Sequence, residues 1–331
     1  RSRGCPWDEN ACCEAASEGH KRVIEWLREG GCPWGRATCA AAARSGHLGL
    51  LMWLREADCP WDMHTCIAAA EGGHLNVLKW AREHGCAWNK QACEKAVVGG
   101  HMDVLEWLRE KGCPWDAWCC VRAAEFGHTD MLKWLRDHGC PFNEWVCAKA
   151  AIAGRVELLE WLRELQCPWN EFTCSSAAER GNVRVLQWVR ERGCPWNEDT
   201  CARAAEGGHI EVLKWARENG CAWNDLTCAA AAKGGHLHIL QWAREGGCAW
   251  GPNTCASAAE GGHFEVLKWA RENGCAWDKW TCTVAARTGE LEILQWARAQ
   301  GCPWDMKVCL RRASENAQRH VVQWIRDNNS T

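Results

Sequence analysis

Residues 59–85 read Cys-Pro-Trp-Asp-Met-His-Thr-Cys-Ile-Ala-Ala-Ala-Glu-Gly-Gly-His-Leu-Asn-Val-Leu-Lys-Trp-Ala-Arg-Glu-His-Gly. This 27-residue pattern recurs along the chain without an insertion or deletion until its last copy. We count repeat positions 1 to 27 from its first cysteine, which is in turn Cys5, Cys32, Cys59, Cys86, Cys113, Cys140, Cys167, Cys194, Cys221, Cys248, Cys275 and Cys302. A fixed period of this length is typical of repeat proteins, in which each unit packs only against its neighbours. We therefore predict a single array of twelve repeats over residues 1–331.

The composition is unusual in two residue types. The 331 residues include 26 cysteines and 26 tryptophans but no tyrosine, which indicates that the repeat copies Cys and Trp. The net charge of -3 argues against a strongly basic nucleic-acid scaffold, and we expect no nucleic-acid partner. No stretch approaches the roughly 18 apolar residues of a membrane helix. Since Arg1–Gly4 lead straight into the first repeat, we expect no signal peptide, and we expect no membrane partner.

Each repeat predicts two helices. Repeat position 4 is Asp or Asn in ten of the twelve copies, and these residues cap helix N-termini. An Ala-rich helix A is predicted over repeat positions 5–13, and the glycine of position 15 ends it. Helix B is predicted over positions 16–26, where apolar residues such as Leu48, Leu51 and Leu54 have the spacing of an amphipathic helix. We find no useful stretch with a period of two, so we predict an all-α solenoid of twelve helix-turn-helix repeats without strands.

The run Thr65-Cys66-Ile67-Ala68-Ala69-Ala70-Glu71-Gly72-Gly73-His74-Leu75-Asn76-Val77-Leu78-Lys79-Trp80 resembles the helix-turn-helix of ankyrin repeats. The resemblance extends to all twelve units. Ankyrin repeats have about 33 residues, so the units here are shorter, and the missing residues fall where ankyrin repeats carry a β-hairpin. The resemblance implies an ankyrin-like fold without hairpins that recognises other proteins and catalyses no reaction.

A second cysteine recurs at repeat position 8, so the candidate disulfide or thiol pairs include Cys59, Cys66, Cys86, Cys93, Cys113, Cys120, Cys140, Cys147, Cys167, Cys174, Cys194 and Cys201. Three interpretations stay open: buried free thiols, disulfides within or between units, and metal binding by the cysteine pairs. The histidine of position 16 is not a fellow metal ligand, because Arg155, Asn182 and Glu290 replace it while both cysteines stay. We expect this histidine to cap or order the turn between the helices.

Tryptophan recurs at repeat positions 3 and 22, and arginine recurs at position 24. We expect the indoles to fill the core in place of the large aliphatic side chains that the Ala-rich helix A lacks. A cation near the end of helix B suits the helix dipole. We expect the arginine to bridge to an acid of the adjacent unit or to stack on an indole.

Repeat positions 5, 6, 9, 10 and 13 of helix A are predicted to face solvent and to be available to a partner. Position 6 is aromatic in three successive units and in one later unit, and position 10 carries a basic residue in the first two of these. Exposed aromatic residues beside basic ones have the composition of binding hot spots. The predicted partner-binding residues are Trp118, Arg122, Trp145, Lys149, Phe172 and Trp280. The alternative is that position 6 packs against a loop or the neighbouring unit.

Arg311 and Arg312 place charge on helix A of the last repeat, which we interpret as a C-terminal cap. No catalytic motif occurs, and we expect no enzyme activity, no cofactor and no resident metal. The predicted function is a scaffold for protein–protein recognition through a concave helix A face. The alternatives are a disulfide-stapled structural rod of a virion, wall or fibre, and metal binding by the cysteine pairs. Free thiols would favour an intracellular location, and bridged thiols an extracellular or virion location.

Overall fold

Helix formation follows the capping residues that the sequence places in ten of the twelve repeats. In the computed structural model, which describes residues 8–328, the Asp62 carboxylate accepts a hydrogen bond from the backbone N–H of His64 at 2.9 Å. This bond satisfies a donor that the first turn of a helix leaves unpaired. Helix A then runs over Met63–Glu71 and helix B over Leu75–Glu83. Helix A has its predicted bounds, whereas helix B begins one residue late because His74 has φ −93° and ψ 76°, outside the helical region.

The chain divides into two compact units, Arg1–Lys149 and Ala150–Thr331. The helices of the first unit are α1 (Glu9–Ser17), α2 (Lys21–Glu29), α3 (Arg36–Arg44), α4 (Leu48–Glu56), α5 (Met63–Glu71), α6 (Leu75–Glu83), α7 (Lys90–Gly99), α8 (Met102–Glu110), α9 (Ala117–Phe126) and α10 (Thr129–Asp137). Helix α11 (Glu144–Ile152) spans the boundary. The helices of the second unit are α12 (Val156–Glu164), α13 (Glu171–Glu179), α14 (Val183–Glu191), α15 (Glu198–Glu206), α16 (Ile210–Glu218), α17 (Asp225–Lys233), α18 (Leu237–Glu245), α19 (Pro252–Glu260), α20 (Phe264–Glu272), α21 (Lys279–Thr288), α22 (Leu291–Ala299), α23 (Met306–Glu315) and α24 (Arg319–Asp327).

Every regular element within residues 8–328 is an α-helix, and odd numbers denote helix A of a repeat. Cys5, with which the first repeat begins, lies outside the described residues. No helix in this part of the chain combines the length and the apolar character that a membrane span needs.

Neighbouring repeats contact each other mainly through their A helices. In the first unit, α3 packs between α1 and α5, and α7 packs between α5 and α9. The second unit continues this arrangement from α13 to α23. Each B helix packs chiefly on the A helix of its own repeat, as α8 does on α7. Both units are therefore helical repeat solenoids, which confirms the predicted fold class.

The core consists of small and aliphatic side chains. Helix B contributes fully buried leucines such as Leu105 and Leu108, and helix A contributes alanines such as Ala96. The cysteines of repeat positions 1 and 8 are buried as well, and so is the threonine of position 7, as in Thr65. Burying a leucine side chain contributes about 2 kcal/mol. Each repeat has few such side chains, so its stability depends on the interfaces with its neighbours.

The prediction that repeat position 9 faces solvent is wrong in many repeats. Because the A helices of adjacent repeats lie side by side, the face that carries position 9 is covered by the next repeat. The buried residues at this position are Ile67, Val121, Ala148, Ser175, Ala229, Ala256 and Thr283.

Tryptophan does not form the core, contrary to the prediction. Every tryptophan within residues 8–328 keeps part of its surface exposed. The two indoles of a repeat meet edge to face, as Trp88 and Trp107 do with ring centroids 5.7 Å apart. Cysteine, alanine and leucine already fill the interior, and an indole is large enough that it is rarely enclosed completely.

Candidate partner-binding surface

The arginine of repeat position 24 connects each repeat to the next. Arg82 stacks on Trp88 of the following repeat, with 4.1 Å between the guanidinium carbon and the ring centroid. Its guanidinium also donates a hydrogen bond to the backbone carbonyl of Cys86. The predicted stacking on an indole is thereby confirmed, and it recurs for Arg28, Arg55, Arg109, Arg163, Arg190, Arg217, Arg244, Arg271 and Arg298. These arginines and indoles therefore serve the interface between repeats.

The histidine of repeat position 16 also contacts the preceding repeat. Nε2 of His101 lies 3.1 Å from the backbone carbonyl oxygen of Glu71, and because a carbonyl can only accept, this nitrogen carries the proton. Glu71 is the last residue of the preceding helix A. Asn182 takes the place of the histidine in another repeat and donates to the carbonyl of Ile152 at 3.5 Å. The side chain thus orders the turn of the preceding repeat and does not cap its own helix B.

The hydrogen bond of His236 makes a pH dependence testable. The pKa of His236 is lowered, first by burial and further by His238, His263 and His209, although the hydrogen bond to the carbonyl of Glu206 acts in the opposite direction. A histidine whose folded pKa lies below its unfolded value of about 6.5 binds a proton more readily in the unfolded chain, so its contribution to stability is lost as the pH falls through that value. We expect His236→Asn to reduce the drop in Tm between about pH 8 and about pH 5.5. An equal drop in both proteins, measured by circular dichroism, would contradict this assignment.

Among residues 8–328 no two cysteines are joined by a disulfide, and all of these cysteines except Cys13 are buried. The cysteines that meet belong to different repeats. Cys12 of position 8 donates to Cys32 of position 1 in the next repeat, with 3.6 Å between the sulfurs. Cys66 likewise lies 3.9 Å from the backbone carbonyl oxygen of Cys86. In the described part of the chain, no group of three or more Cys, His, Asp or Glu side chains is arranged to hold a metal ion. The burial of the sulfurs agrees with the first of the three interpretations, and the oxidation state of the cysteines stays a prediction.

The aromatic side chains of repeat position 6 are exposed. In the first unit, 42% of the surface of Trp118 and 36% of that of Trp145 is accessible. The backbone N–H of Trp118 donates to the carboxylate of Asp116 at 3.0 Å, which fixes this residue in the first turn of α9. Phe172 and Trp280 hold the same position in the second unit and are exposed as well. Exposure is what a contact surface requires, whereas the binding role of these residues stays a prediction.

One exposed residue of this surface was missed by the sequence analysis. Leu226 holds repeat position 6 in α17 and exposes 45% of its surface. Its repeat position could have identified it, because an exposed aliphatic side chain at position 6 can make the same kind of apolar contact as an aromatic one.

The predicted basic flank of Trp118 and Trp145 is occupied by ion pairs. Arg122 lies 2.9 Å from the carboxylate of Glu94 and 2.6 Å from that of Glu125. Lys149 of α11 lies 2.7 Å from Glu125 as well. Burial alone would raise the pKa of Glu125, but the hydrogen bonds from Lys149 and Arg122 lower it, and the pKa of Arg122 is raised by its two carboxylate partners. The flank is therefore a network of alternating charges rather than a basic patch.

Small side chains of α3 leave a hollow of about 550 Å³ on the helix A surface of the first unit. Two arginines at its edge are paired: Arg36 with Asp62 at 3.4 Å and Arg44 with Glu71 at 2.9 Å. The first unit thus has both exposed indoles and a hollow on its A helices. The residues that line the hollow are Asn10, Cys13, Ser17, Arg36, Ala37, Ala40, Ala41, Arg44 and His64.

Comparison with known proteins agrees with the ankyrin resemblance in part of the chain. A family model described as ankyrin repeats (many copies) matches residues 93–136 and 120–163, which confirms the resemblance there. No curated protein sequence matches the chain. Among solved structures, the chain is similar to the pentatricopeptide repeat protein PPR10 from maize, with 14% identity, a TM-score of 0.41, and coverage of 96% of this chain and 58% of that chain. It is also similar to PPR10 in complex with an 18-nt psaJ RNA element, with 13% identity, a TM-score of 0.43, and coverage of 96% and 57%.

These structures require one correction. The expectation that the chain takes no nucleic-acid partner is contradicted, since two of the similar structures are complexes with an RNA element. The expectation rested on the net charge of -3, which is a sum over the whole chain, whereas a ligand responds to the charges of the surface that it contacts. The chain spans 57–58% of the length of the solved structures named here.

Proposed function

We propose that the chain is a non-enzymatic repeat scaffold that binds a protein partner through its helix A surface, with Trp118 and Trp145 at the centre of the contact. The observation that carries this proposal is the exposure of two indoles on the A helices of adjacent repeats. Exposed apolar side chains on neighbouring repeats are typical of interaction sites, and Trp is enriched among the residues that dominate binding energy.

The charged neighbours of the indoles support a protein contact. Glu94, Arg122, Glu125 and Lys149 form a continuous series of ion pairs beside Trp118. The guanidinium carbon of Arg122 also lies 5.6 Å from the Trp118 ring centroid. An apolar centre with a polar rim is the usual anatomy of a protein–protein interface. Because the ion pairs limit the rotamers of the charged side chains, less entropy is lost when a partner binds.

The division of roles among repeat positions also supports recognition by helix A. Positions 1, 3, 8, 16 and 24 hold adjacent repeats together through the contacts described above, so a change there would disturb the fold. Position 6, by contrast, differs widely between repeats, with His64 in α5, Gln91 in α7 and Asp199 in α15. Residues at this position can therefore vary to suit a partner while the solenoid is kept.

The proposal is tested by selecting ligands for the full chain from a displayed library of linear peptides. For the selected peptides, Kd is measured with the wild-type chain and with Trp118→Ala/Trp145→Ala. Truncating one hot-spot residue costs about 2 kcal/mol, which corresponds to a rise in Kd of about 30-fold. We expect at least this rise for the double variant, with unchanged helicity by circular dichroism.

Met52→Ala is the matched control, because Met52 is exposed to a similar extent but lies on the B helix α4. Its Kd is expected to stay within about twofold of the wild-type value, since surface substitutions away from a contact have small effects. An unchanged Kd for the tryptophan variant would contradict the proposal. A pool of single-stranded RNA is titrated in parallel, and RNA binding that depends on the two indoles, without any peptide binding, would assign this surface to RNA instead.

A further inference from the structure

The buried thiols form pairs that cross from one repeat to the next. Cys12 in α1 donates to the sulfur of Cys32 at 3.6 Å, and Cys32 donates to the backbone carbonyl of Asp8 at 3.2 Å. Both thiols are fully buried. The two sulfurs are therefore held in contact, with Cys12 as the donor and Cys32 as the acceptor, although 20 residues separate them in the chain.

The same register recurs along both units. Cys39 lies 3.9 Å from the carbonyl oxygen of Cys59, and Cys174 lies at the same distance from that of Cys194. The thiol of position 1 again donates to the carbonyl of position 4 in the preceding repeat, as Cys59 does to Gly35 at 3.4 Å. The pairing thus joins position 8 of one repeat to position 1 of the next.

We propose that the Cys12–Cys32 pair, as the representative of these contacts, is a modification site at which a small-molecule disulfide such as glutathione disulfide forms a covalent bond between adjacent repeats. The thiolate of one cysteine attacks a sulfur of glutathione disulfide, forms a mixed disulfide and releases one glutathione thiolate. The second cysteine then attacks the protein sulfur of that mixed disulfide and releases the second glutathione. The two cysteines are oxidised, glutathione disulfide is reduced, and the two thiol protons end on the two glutathione molecules.

The geometry permits this bond at a modest cost. A disulfide has a sulfur–sulfur distance of about 2.05 Å, so each sulfur of the Cys12–Cys32 pair has to move by less than about 1 Å. Formation of the disulfide removes the hydrogen bond that the Cys32 thiol donates to the carbonyl of Asp8. Since both sulfurs are buried, the oxidant reaches them only when the repeat opens locally. Burial also raises the pKa of Cys12 to about 12, with a further rise from its contact with Cys32, so the exchange is faster at higher pH.

At the neighbouring interface, the contact between the two cysteines shifts their pKa values in opposite directions. The pKa of Cys59 is lowered by the hydrogen bond from Cys39 and by the positive charge of Arg55, against the effect of burial. The pKa of Cys39 is raised by the same contact. At this interface the two sulfurs therefore differ in acidity, and Cys59 is the more acidic of the two.

The register of the bond can be read from tryptic peptides. The reduced full chain is treated with glutathione disulfide, unfolded, alkylated, digested with trypsin and analysed by mass spectrometry without reduction. Cys32 is the one cysteine of peptide 29–36, Cys39 is the one cysteine of peptide 37–44, and Cys12 lies in peptide 4–21. We expect peptide 29–36 to be joined to peptide 4–21 at least tenfold more often than to peptide 37–44. A product in which peptide 29–36 is joined mainly to peptide 37–44 would overturn the proposal, because that bond joins two cysteines of one repeat.

Two matched variants assign the partner of Cys32. Cys12→Ser is expected to abolish the joined peptide, whereas Cys13→Ser is expected to retain it, because Cys13 is directed at the hydroxyl of Thr38 at 3.8 Å. The oxidant concentration is raised until the half-exposed Cys13 carries glutathione in the wild-type chain. If Cys32 is still fully alkylated at that concentration, or if the joined peptide survives in Cys12→Ser, the pair is not an oxidisable site.

Discussion

Replacing Gly73 with alanine is expected to lower the free energy of unfolding by about 3 kcal/mol. Gly73 has φ 76°, in the left-handed region, where a side chain costs about 1 to 2 kcal/mol. A Cβ at this position would lie 2.4 Å from Nδ1 of His101 in the next repeat, and overpacking of this kind adds about 1 to 3 kcal/mol. The measurement is urea unfolding of the full chain followed by circular dichroism.

Gly85→Ala is the control for this prediction. Gly85 has φ 81°, but no atom lies within 4 Å of the position that its Cβ would take. It therefore carries the backbone cost alone, about 1 to 2 kcal/mol. Adding His101→Ala to Gly73→Ala removes the clash and is expected to bring the cost of the glycine substitution close to that of Gly85→Ala. Equal costs for Gly73→Ala and Gly85→Ala would show that the histidine does not pack on the preceding repeat.

The second large effect is expected for Arg82→Met, which keeps much of the side-chain volume but removes the charge. A hydrogen bond to a charged group contributes about 1.5 to 3 kcal/mol, and stacking of a cation on an indole adds about 0.5 to 1 kcal/mol. Arg82 makes both interactions with the next repeat, with Cys86 and Trp88. We expect a loss of about 3 kcal/mol in the same urea experiment.

Arg44→Met separates this effect from a general effect of charge. Arg44 forms an ion pair with Glu71 at 2.9 Å, but its side chain is 63% exposed. Exposed ion pairs contribute about 0 to 1 kcal/mol, so the loss is expected to be below about 1 kcal/mol. If the two methionine variants are equally stable, the arginine of position 24 does not hold the repeats together.

The fold could be predicted from the sequence because the period, the capping residues and the glycines all act locally. Asp62 and Gly73 mark the start of helix A and the turn that follows it, whatever the rest of the chain does. The amphipathic spacing of helix B also identified the buried leucines. Most of the twelve repeats carry these features, so the prediction does not depend on any single unit.

The placement of Trp, Cys and repeat position 9 depends on how one repeat meets the next, and the period alone does not give that register. The sequence does not show whether Cys12 faces Cys5 or Cys32, and the structure pairs it with Cys32. The indoles were expected in the core on account of their size, but Arg82 and Trp88 meet in the partly exposed junction between repeats. The sequence likewise did not show that the charges of Arg122 and Lys149 are compensated by acids of neighbouring helices.

The binding role of helix A is tested most directly by hydrogen exchange of the full chain with and without a selected peptide. We expect slower exchange in the N-terminal turns of α9 and α11, which carry Trp118 and Trp145, and unchanged exchange in the B helices α8 and α10 of the same unit. Slower exchange confined to α8 and α10, with none in α9 and α11, would contradict this expectation.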